Sequence, residues 1–179
     1  MTDFTLHTLE TASEAAKPLV ENAISAFGML PNLIAVMAEA PALLKAYQEM
    51  HAHFQSTSFN AEELTVVWQT INVEHECHYC VPAHTMIAQM MEVDTSITAS
   101  IKAGEPLANA KLEALRATTL VLVRERGRIS EAQKDAFFSA GYERKQLLEI
   151  VVGIAQKVMS NYTNHIADTP LDDAFAQFA

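Results

Sequence analysis

The sequence predicts an all-α protein that folds as a single-domain multi-helix bundle. Its apolar residues recur at three- and four-residue spacing and not in alternation, which is typical of amphipathic helices. The strong helix formers Ala, Leu, Glu, Lys, Gln and Met dominate the composition. Half of the 179 residues are hydrophobic and only 5 are glycine. We therefore expect residues 1–179 to form one domain with a sizeable core.

Capping and proline signals place the first three helices. Ser13 is a candidate N-cap for a first helix, which ends near Gly28. Pro31 suits the first turn of a second helix, and Pro41 suits that of a third, which runs to about Thr57.

The middle of the chain predicts three more helices. Residues 60–63, Asn-Ala-Glu-Glu, have the form of a capping box for a helix that passes Ile71 and ends near Glu74. A second helix follows the cysteines to Met91, and a short third one covers residues 95–102.

Three helices complete the prediction. Residues 111–126 carry an amphipathic stripe, and Gly127 caps their helix. Ser130 opens the next helix, which stops near Gly141. Only a short tail is expected after Pro170. The last helix is long and apolar, with Leu147, Leu148, Val151, Ile154, Ala155, Val158 and Met159.

Charge and hydropathy exclude several classes of function. The formal net charge of −10 would repel a phosphate backbone, so nucleic acid is not an expected partner. No apolar run approaches the roughly 20 residues that span a bilayer, so no membrane partner is expected either. Residues 1–4 lack the features of a signal peptide, which indicates a cytoplasmic protein. In that compartment a Cys-x-x-Cys pair indicates redox catalysis or metal binding.

Both cysteines lie in one segment, residues 74–84, which reads Glu-His-Glu-Cys-His-Tyr-Cys-Val-Pro-Ala-His. Proline fits a helix only in its first turn, so Pro82 places a helix start at or just after Cys80. Unpaired backbone N–H groups there would favour a thiolate on Cys80. His84 follows one turn later on the same face as a candidate base. Cys77 is placed to attack an oxidised Cys80 as the resolving thiol.

A carboxylate is expected to orient His84 or relay its proton. Glu74 is the candidate adjacent in sequence, and Glu62 and Glu63 are the distant ones. Negative charge on Glu74 and Glu76 should also raise the pKa of Cys77, which suits a resolving thiol better than a nucleophile.

The pattern Cys-x-x-Cys-x-x-x-His at a helix start resembles the alkylhydroperoxidase D-like branch of the carboxymuconolactone decarboxylase family. Residues 29–33, Met-Leu-Pro-Asn-Leu, and residues 161–165, Asn-Tyr-Thr-Asn-His, extend the resemblance over most of the chain. The resemblance implies an all-helical bundle of the alkylhydroperoxidase D-like type. It also implies an obligate homo-oligomer, a trimer or hexamer, that acts as a peroxiredoxin-like antioxidant enzyme.

The resemblance also assigns roles by position. Cys80 would attack the peroxide, Cys77 would resolve the product to a redox-active disulfide, and His84 would belong to a proton relay. No cofactor beyond that disulfide is implied, and the reductant is left open between a dithiol and a protein. The glutamate that serves the relay in the family aligns with Thr65, so the relay acid is open among Glu74, Glu62 and Glu63.

Two other functions compete with the peroxidase. A structural or zinc-binding oligomer would use some of five candidate ligands, although consecutive helical residues cannot all converge on one ion. A decarboxylase or related lyase would use His84 as its base and leave the thiols incidental. The five candidate zinc ligands are His75, Cys77, His78, Cys80 and His84.

Other polar and aromatic residues are expected to be structural or solvent-exposed and not catalytic. Tyr162 and His165 are expected on a polar helix face or in an oligomer contact. His51 and His53 are expected to be solvated, and Trp68 to lie in the core or an interface.

Self-association is expected from the residues as well as from the resemblance. The segments 30–37 and 147–159 are apolar over more than one face, which is more than a small helical domain readily hides.

Overall fold

The computed structural model describes residues 4–179, and within that range the chain is helical with no β-strand. The predicted all-α fold class is therefore confirmed. None of the helices in residues 4–179 is long and apolar enough to cross a membrane. The α-helices are α1 (Lys17–Phe27), α2 (Asn32–Met37), α3 (Pro41–Gln55), α4 (Ala61–Glu74), α5 (Cys80–Met90), α6 (Thr95–Ala103), α7 (Ala110–Arg124), α8 (Glu131–Ser139) and α9 (Arg144–Ala167).

The first helix begins at Lys17, whereas the sequence predicted a start at Ser13. Pro18 lies in its first turn. A helix started at Ser13 would need a backbone donor at Pro18 and would place its ring against the preceding turn, so the proline delays the start. The predicted end is confirmed, because Gly28 caps α1 at a φ of 72°, in the left-handed region that glycine adopts without strain.

Helix α4 is the central helix of the bundle. It starts with the predicted capping box, in which Asn60 accepts from the Glu63 backbone N–H and the Glu63 side chain accepts from the Asn60 backbone N–H. Every residue from Glu63 to Asn72 is buried, because α5, α6, α7 and α9 all pack around it. Trp68, only 1% exposed, lies at its centre, as expected.

Helix α9 packs against α2, α3 and α4. Gly153 allows its close approach, since a Cβ atom there would lie 2.9 Å from side-chain atoms of Phe54 and Val67. This contact fixes α9 against α4, and the residues after Gly153 then face the start of α5.

The chain after α9 is more ordered than the short tail that the sequence predicted. It ends in a 3-10 helix, Asp173–Phe178, which packs on α5. The Asp172 carboxylate accepts a hydrogen bond from the hydroxyl of Tyr79 and another from the backbone N–H of Asn32. The C-terminal segment thereby holds the Cys-x-x-Cys segment against the start of α2.

Candidate active site

The two cysteines are free thiols, and both are buried. Cys80 is the first residue of α5 and Pro82 lies in its first turn, as the proline predicted. The helix terminus, however, serves the other sulfur, because the backbone N–H of Cys80 donates to Cys77 Sγ at 3.3 Å. The expected activation of Cys80 by the N–H groups at the start of α5 is thus not what the structure provides.

The donors to the Cys80 sulfur come from α9. Asn164 Nδ2 lies 3.2 Å from Cys80 Sγ and 3.8 Å from Cys77 Sγ, so one amide donates to both sulfurs. Asn164 is fully buried, and its Oδ1 has no hydrogen-bond partner within residues 4–179. A buried amide N–H that points at a sulfur stabilises a thiolate more than a thiol.

A buried lysine completes this side of the site. Lys157 is 0% exposed, and its Nζ lies 2.9 Å from His84 Nε2. An ammonium can only donate, so Nε2 is the lone-pair nitrogen of a neutral His84 ring. Lys157 forms no ion pair with a carboxylate among residues 4–179.

The pKa values of the two thiols are shifted in opposite directions. Burial opposes ionisation of Cys80, but the hydrogen bond from Cys77, the charge on Lys157 and the polar groups of Ser160 and Asn161 outweigh it and lower the pKa of Cys80. The hydrogen bond to Cys80, together with burial, raises the pKa of Cys77. The expected direction for Cys77 therefore holds, although its cause is Cys80 and burial and not the neighbouring glutamates. The pKa of Cys80 is therefore lower than that of Cys77.

His84 is buried and neutral. Burial, and after it the charge on Lys157, lower its pKa well below the ordinary value. Its ring lies 5.0 Å from the Trp68 ring, and its Nδ1 has no hydrogen-bond partner within residues 4–179. His84 is therefore placed to exchange a proton at Nδ1 while Nε2 stays bound to Lys157.

An aromatic wall extends this site toward α3. His51 stacks on Trp68 with ring centroids 5.6 Å apart. Gln156 joins the two, since its Oε1 accepts from Trp68 Nε1 at 2.6 Å and its Nε2 lies 3.0 Å from His51 Nδ1. The expectation that His51 is solvated is wrong: burial lowers its pKa to about 4, helped by the charge on Lys157. His53, two residues later, is exposed as expected.

A ladder of side-chain amides fixes the start of α5. Asn72 donates to the Cys80 carbonyl at 3.2 Å and accepts from Asn161 Nδ2 at 3.1 Å. Asn161 Oδ1 in turn lies 2.9 Å from His75 Nδ1. Since Asn72 and Asn161 are fully buried, their mutual hydrogen bonds hold α4, α5 and α9 in one register.

Glu74 is not brought to His84. Its two carboxylate oxygens accept from Arg124 Nε and Nη2 at 2.7 Å each, in an ion pair between α4 and α7. The sequence could not show this, because Arg124 lies fifty residues away. Of the two distant candidates, Glu63 holds the capping box and an ion pair with Lys111, and neither it nor Glu62 contacts His84. The charged side chain that lies at His84 is Lys157 and not the expected carboxylate.

The five candidate zinc ligands do not converge. His75 is directed at Asn161, and His78 Nε2 binds the Thr169 carbonyl at 2.9 Å. Within residues 4–179 no group of three or more His, Cys, Asp and Glu side chains could hold a metal ion.

The buried polar face of α9 was not predicted from the sequence. Tyr162 and His165 are exposed, as expected, and lie away from the thiols. A signal was present, because the buried polar positions repeat at helical spacing in a helix that otherwise reads as apolar. They are Gln156, Lys157, Ser160, Asn161 and Asn164, each 0% exposed.

No protein-family model matches the sequence, and no curated protein resembles it significantly. Solved structures do share its fold. An uncharacterised peroxidase-related protein of Ralstonia eutropha JMP134, described as an alkylhydroperoxidase AhpD core, has a TM-score of 0.85 at 17% identity, covering 97% of this chain and 94% of that one. A peroxidase-related protein of Silicibacter sp. TM1040 has a TM-score of 0.79 at 17% identity, with the same coverage.

A third similar structure is the debrominase Bmp8, in a cysteine-to-alanine form bound to 2,3,4-tribromopyrrole. Its TM-score is 0.82 at 18% identity, covering 99% of this chain and 96% of that one. At these identities the comparisons establish the fold. The chain has the AhpD-like all-α fold, as the resemblance in its cysteine motif implied.

Proposed function

We propose that this protein is a thiol-dependent peroxidase and disulfide reductase of the alkylhydroperoxidase type, in which Cys80 attacks and Cys77 resolves. The observation that carries the proposal is the contrast between the two sulfurs. The hydrogen bond from Cys77 and the charge on Lys157 lower the pKa of Cys80, and Asn164 donates to its sulfur at 3.2 Å, whereas the pKa of Cys77 is raised. A nucleophilic thiolate next to a protonated resolving thiol is what peroxide reduction through a disulfide requires.

The reaction has two steps. The Cys80 thiolate attacks the distal oxygen of a hydroperoxide, the O–O bond breaks, and the departing oxygen takes a proton and leaves as an alcohol or water. Cys80 becomes a sulfenic acid. The Cys77 sulfur then attacks Cys80, a disulfide forms, and the sulfenic oxygen leaves as water. Two equivalents of an external thiol, or one dithiol, reduce the disulfide and leave oxidised as a disulfide.

The proton for the departing oxygen is proposed to come through His84 and Lys157. Lys157 donates to His84 Nε2, and His84 Nδ1 has no competing partner. An imidazole in this position can release a proton at one nitrogen and recover one at the other. The relay thus uses an ammonium where the sequence suggested a carboxylate.

The partners follow from the surroundings of the site. Cys80 is 2% exposed, which favours a small peroxide as the oxidant. The reductant is proposed to be a dithiol or a protein thiol in the cytoplasm, where reducing thiols are abundant. A homo-oligomer, a trimer or hexamer, is proposed from the apolar residues that α9 leaves exposed, among them Leu148 and Ile166.

Single-cysteine variants test the proposal. Cys80→Ser should abolish peroxide consumption with a dithiol reductant, while Cys77→Ser should react once and stop as a sulfenic acid on Cys80. Wild type should lose both thiols to an intramolecular disulfide after one equivalent of peroxide, as thiol counting and mass analysis would show. Sulfenic acid trapped on Cys77 in Cys80→Ser would reverse the two roles, and unchanged thiols in wild type would reject the function.

Reductive dehalogenation is a second candidate. The debrominase Bmp8 shares the fold, and here His51 stacks on Trp68 while the His84 ring, one turn after Cys80, lies 5.0 Å from Trp68. A brominated ring plus two thiols would give the hydrogen-substituted ring, bromide and a disulfide. Release of bromide from 2,3,4-tribromopyrrole, with oxidation of the thiols and none in Cys80→Ser, would favour this reaction over peroxide reduction.

The other two alternatives make different predictions. A zinc protein would retain stoichiometric metal when purified without chelator, although its candidate ligands diverge. A lyase would need His84 but neither thiol, so its activity would survive in Cys80→Ser.

A further inference from the structure

We propose that Lys157 is the counter-ion of the reduced Cys77–Cys80 pair, and that its buried charge makes the disulfide a readily reduced, oxidising one. This inference rests on the proposed redox pair. It concerns the equilibrium between dithiol and disulfide, which does not depend on peroxide being the oxidant.

The first observation is that Lys157 is isolated from carboxylates. It is 0% exposed, and a buried ammonium is costly unless an anion or good acceptors compensate it. Two acidic residues of α4 are engaged elsewhere, Glu63 with Lys111 and Glu74 with Arg124. On α9 itself, Glu149 pairs with Lys145 at the other end of the helix.

The second observation is what does face Lys157. His84 Nε2 on α5 lies 2.9 Å from Lys157 Nζ. On α3, the charge on Lys157 contributes to the lowered pKa of the neutral His51. Both rings are neutral and can carry no negative charge. Lys157 and Asn164 are seven residues apart on one face of α9, and Asn164 donates to Cys80 Sγ at 3.2 Å, so the two thiols are the groups beside Lys157 that can become anionic. Burial lowers the pKa of Lys157, and negative charge on Cys80 opposes that shift. The Cys80 thiolate is therefore the anion that compensates Lys157.

This pairing has a direct redox consequence. Reduced protein contains the ammonium and the thiolate together. When the disulfide forms, both sulfurs become neutral, and Lys157 is left buried without its anion. The reduced state is stabilised and the oxidised state is not, so the equilibrium shifts toward the dithiol, as it does for any dithiol whose reduced form is stabilised.

The protons balance with the electrons. Oxidation removes two electrons from the two sulfurs and releases the Cys77 proton together with the proton that Lys157 no longer retains. Reduction by two thiols returns both protons and yields an external disulfide. Lys157 acts by stabilising the negative charge on the sulfur, so it need not contact the oxidant.

A redox titration of the purified full chain in mixtures of reduced and oxidised glutathione tests the proposal. Lys157→Met removes the charge, Lys157→Gln removes the charge but keeps a donor for His84, and Lys145→Met is the exposed control on the same helix. For both Lys157 variants, half-reduction should require a value of [GSH]²/[GSSG] at least about ten-fold higher than for wild type, which is about 30 mV. Lys145→Met should match wild type.

The controls keep the outcomes separate. Circular dichroism and thermal unfolding check that both variants fold, which we expect because an apolar side chain in place of a buried charge is often tolerated. A Lys157→Gln protein that titrates like wild type would overturn the inference, because the hydrogen bond and not the charge would then set the equilibrium. So would two folded variants with the wild-type midpoint.

Wild type alone provides a second test. Nitrogen NMR of the Lys157 side chain should give a higher pKa for its ammonium in the reduced protein than in the oxidised protein, because the thiolate holds the proton there. Equal values in the two states would contradict the inference. If the glutathione shift appears but peroxide is not consumed, the proposed function fails and this inference stands. If peroxide is consumed without the shift, this inference fails alone.

Discussion

The buried and exposed faces of α9 carry the reverse of the usual amphipathic pattern. The C-terminal half of the buried face is polar, with Lys157, Asn161 and Asn164 at zero exposure. The exposed face carries large apolar residues, with Leu148 at 69% and Ile166 at 71% exposure. A surface helix of an ordinary globular protein shows the opposite arrangement.

The buried and the exposed side chains of α9 meet different physical requirements. The buried polar residues satisfy one another and the two sulfurs, so their desolvation is compensated by hydrogen bonds. The exposed apolar residues Leu148, Val151, Tyr162 and Ile166 recur at three-, eleven- and four-residue steps and share one side of the helix. Such a stripe is typical of a surface that another subunit covers.

The largest expected effect comes from removing a donor on the buried face. Asn164→Leu should slow the single-turnover oxidation of Cys80 by peroxide about 10²-fold, because a fixed donor to an anionic reacting atom contributes on that order. Stopped-flow thiol oxidation would measure the rate. Asn22→Leu, on the exposed side of α1, is the matched control, and a rate for Asn164→Leu equal to that control would remove Asn164 from the chemistry.

Charge introduced on the exposed face of α9 should weaken assembly of the oligomer. Leu148→Glu combined with Ile166→Glu should reduce the sedimentation mass to that of the 19.7 kDa chain, because two buried charges would oppose closure of the interface. Phe27→Glu, at an exposed apolar residue of α1, should leave the mass unchanged. An unaltered mass in the double variant would place the interface elsewhere, and a monomeric wild type would end the oligomer proposal.

Acid should destabilise the fold through the buried histidines that face Lys157. The pKa of His51 is about 4 in the folded protein against 6.5 for the free side chain. Between these values the unfolded state binds more protons, so the free energy of unfolding falls as the pH falls, by about 1.4 kcal/mol per pH unit for one proton. His51→Phe should reduce this slope in denaturant titrations, whereas His53→Phe should not. Equal slopes in both variants would show that His51 does not resist protonation.

The smallest effect is expected at Glu74. Glu74→Gln breaks a half-exposed ion pair with Arg124 and should cost less than about 1 kcal/mol of unfolding free energy. The rate of Cys80 oxidation should stay within two-fold of wild type, and Glu62→Gln is the matched control. A ten-fold slower Glu74→Gln protein would restore the relay carboxylate that the sequence suggested.

Local chemistry made most of the fold predictable. The Asn60 capping box, the helix start at Cys80 with Pro82 in the first turn, and the Gly28 cap each depend on residues within a few positions of one another. The one clear error among the helix starts, Ser13, arose because Pro18 restricts the first turn more strongly than a capping side chain favours it.

Only the part of the candidate site that lies between Cys77 and His84 was predictable from the sequence. The order of Cys77, Cys80 and His84 along one short segment places them close together whatever the fold does. The all-α architecture and the cysteine–histidine cluster could therefore be predicted from the order of residues alone. The residues that act on that cluster follow from how the helices pack. Lys157 and Asn164 lie more than seventy residues away, and their partners depend on how α9 packs across α4, which periodicity along the chain does not encode.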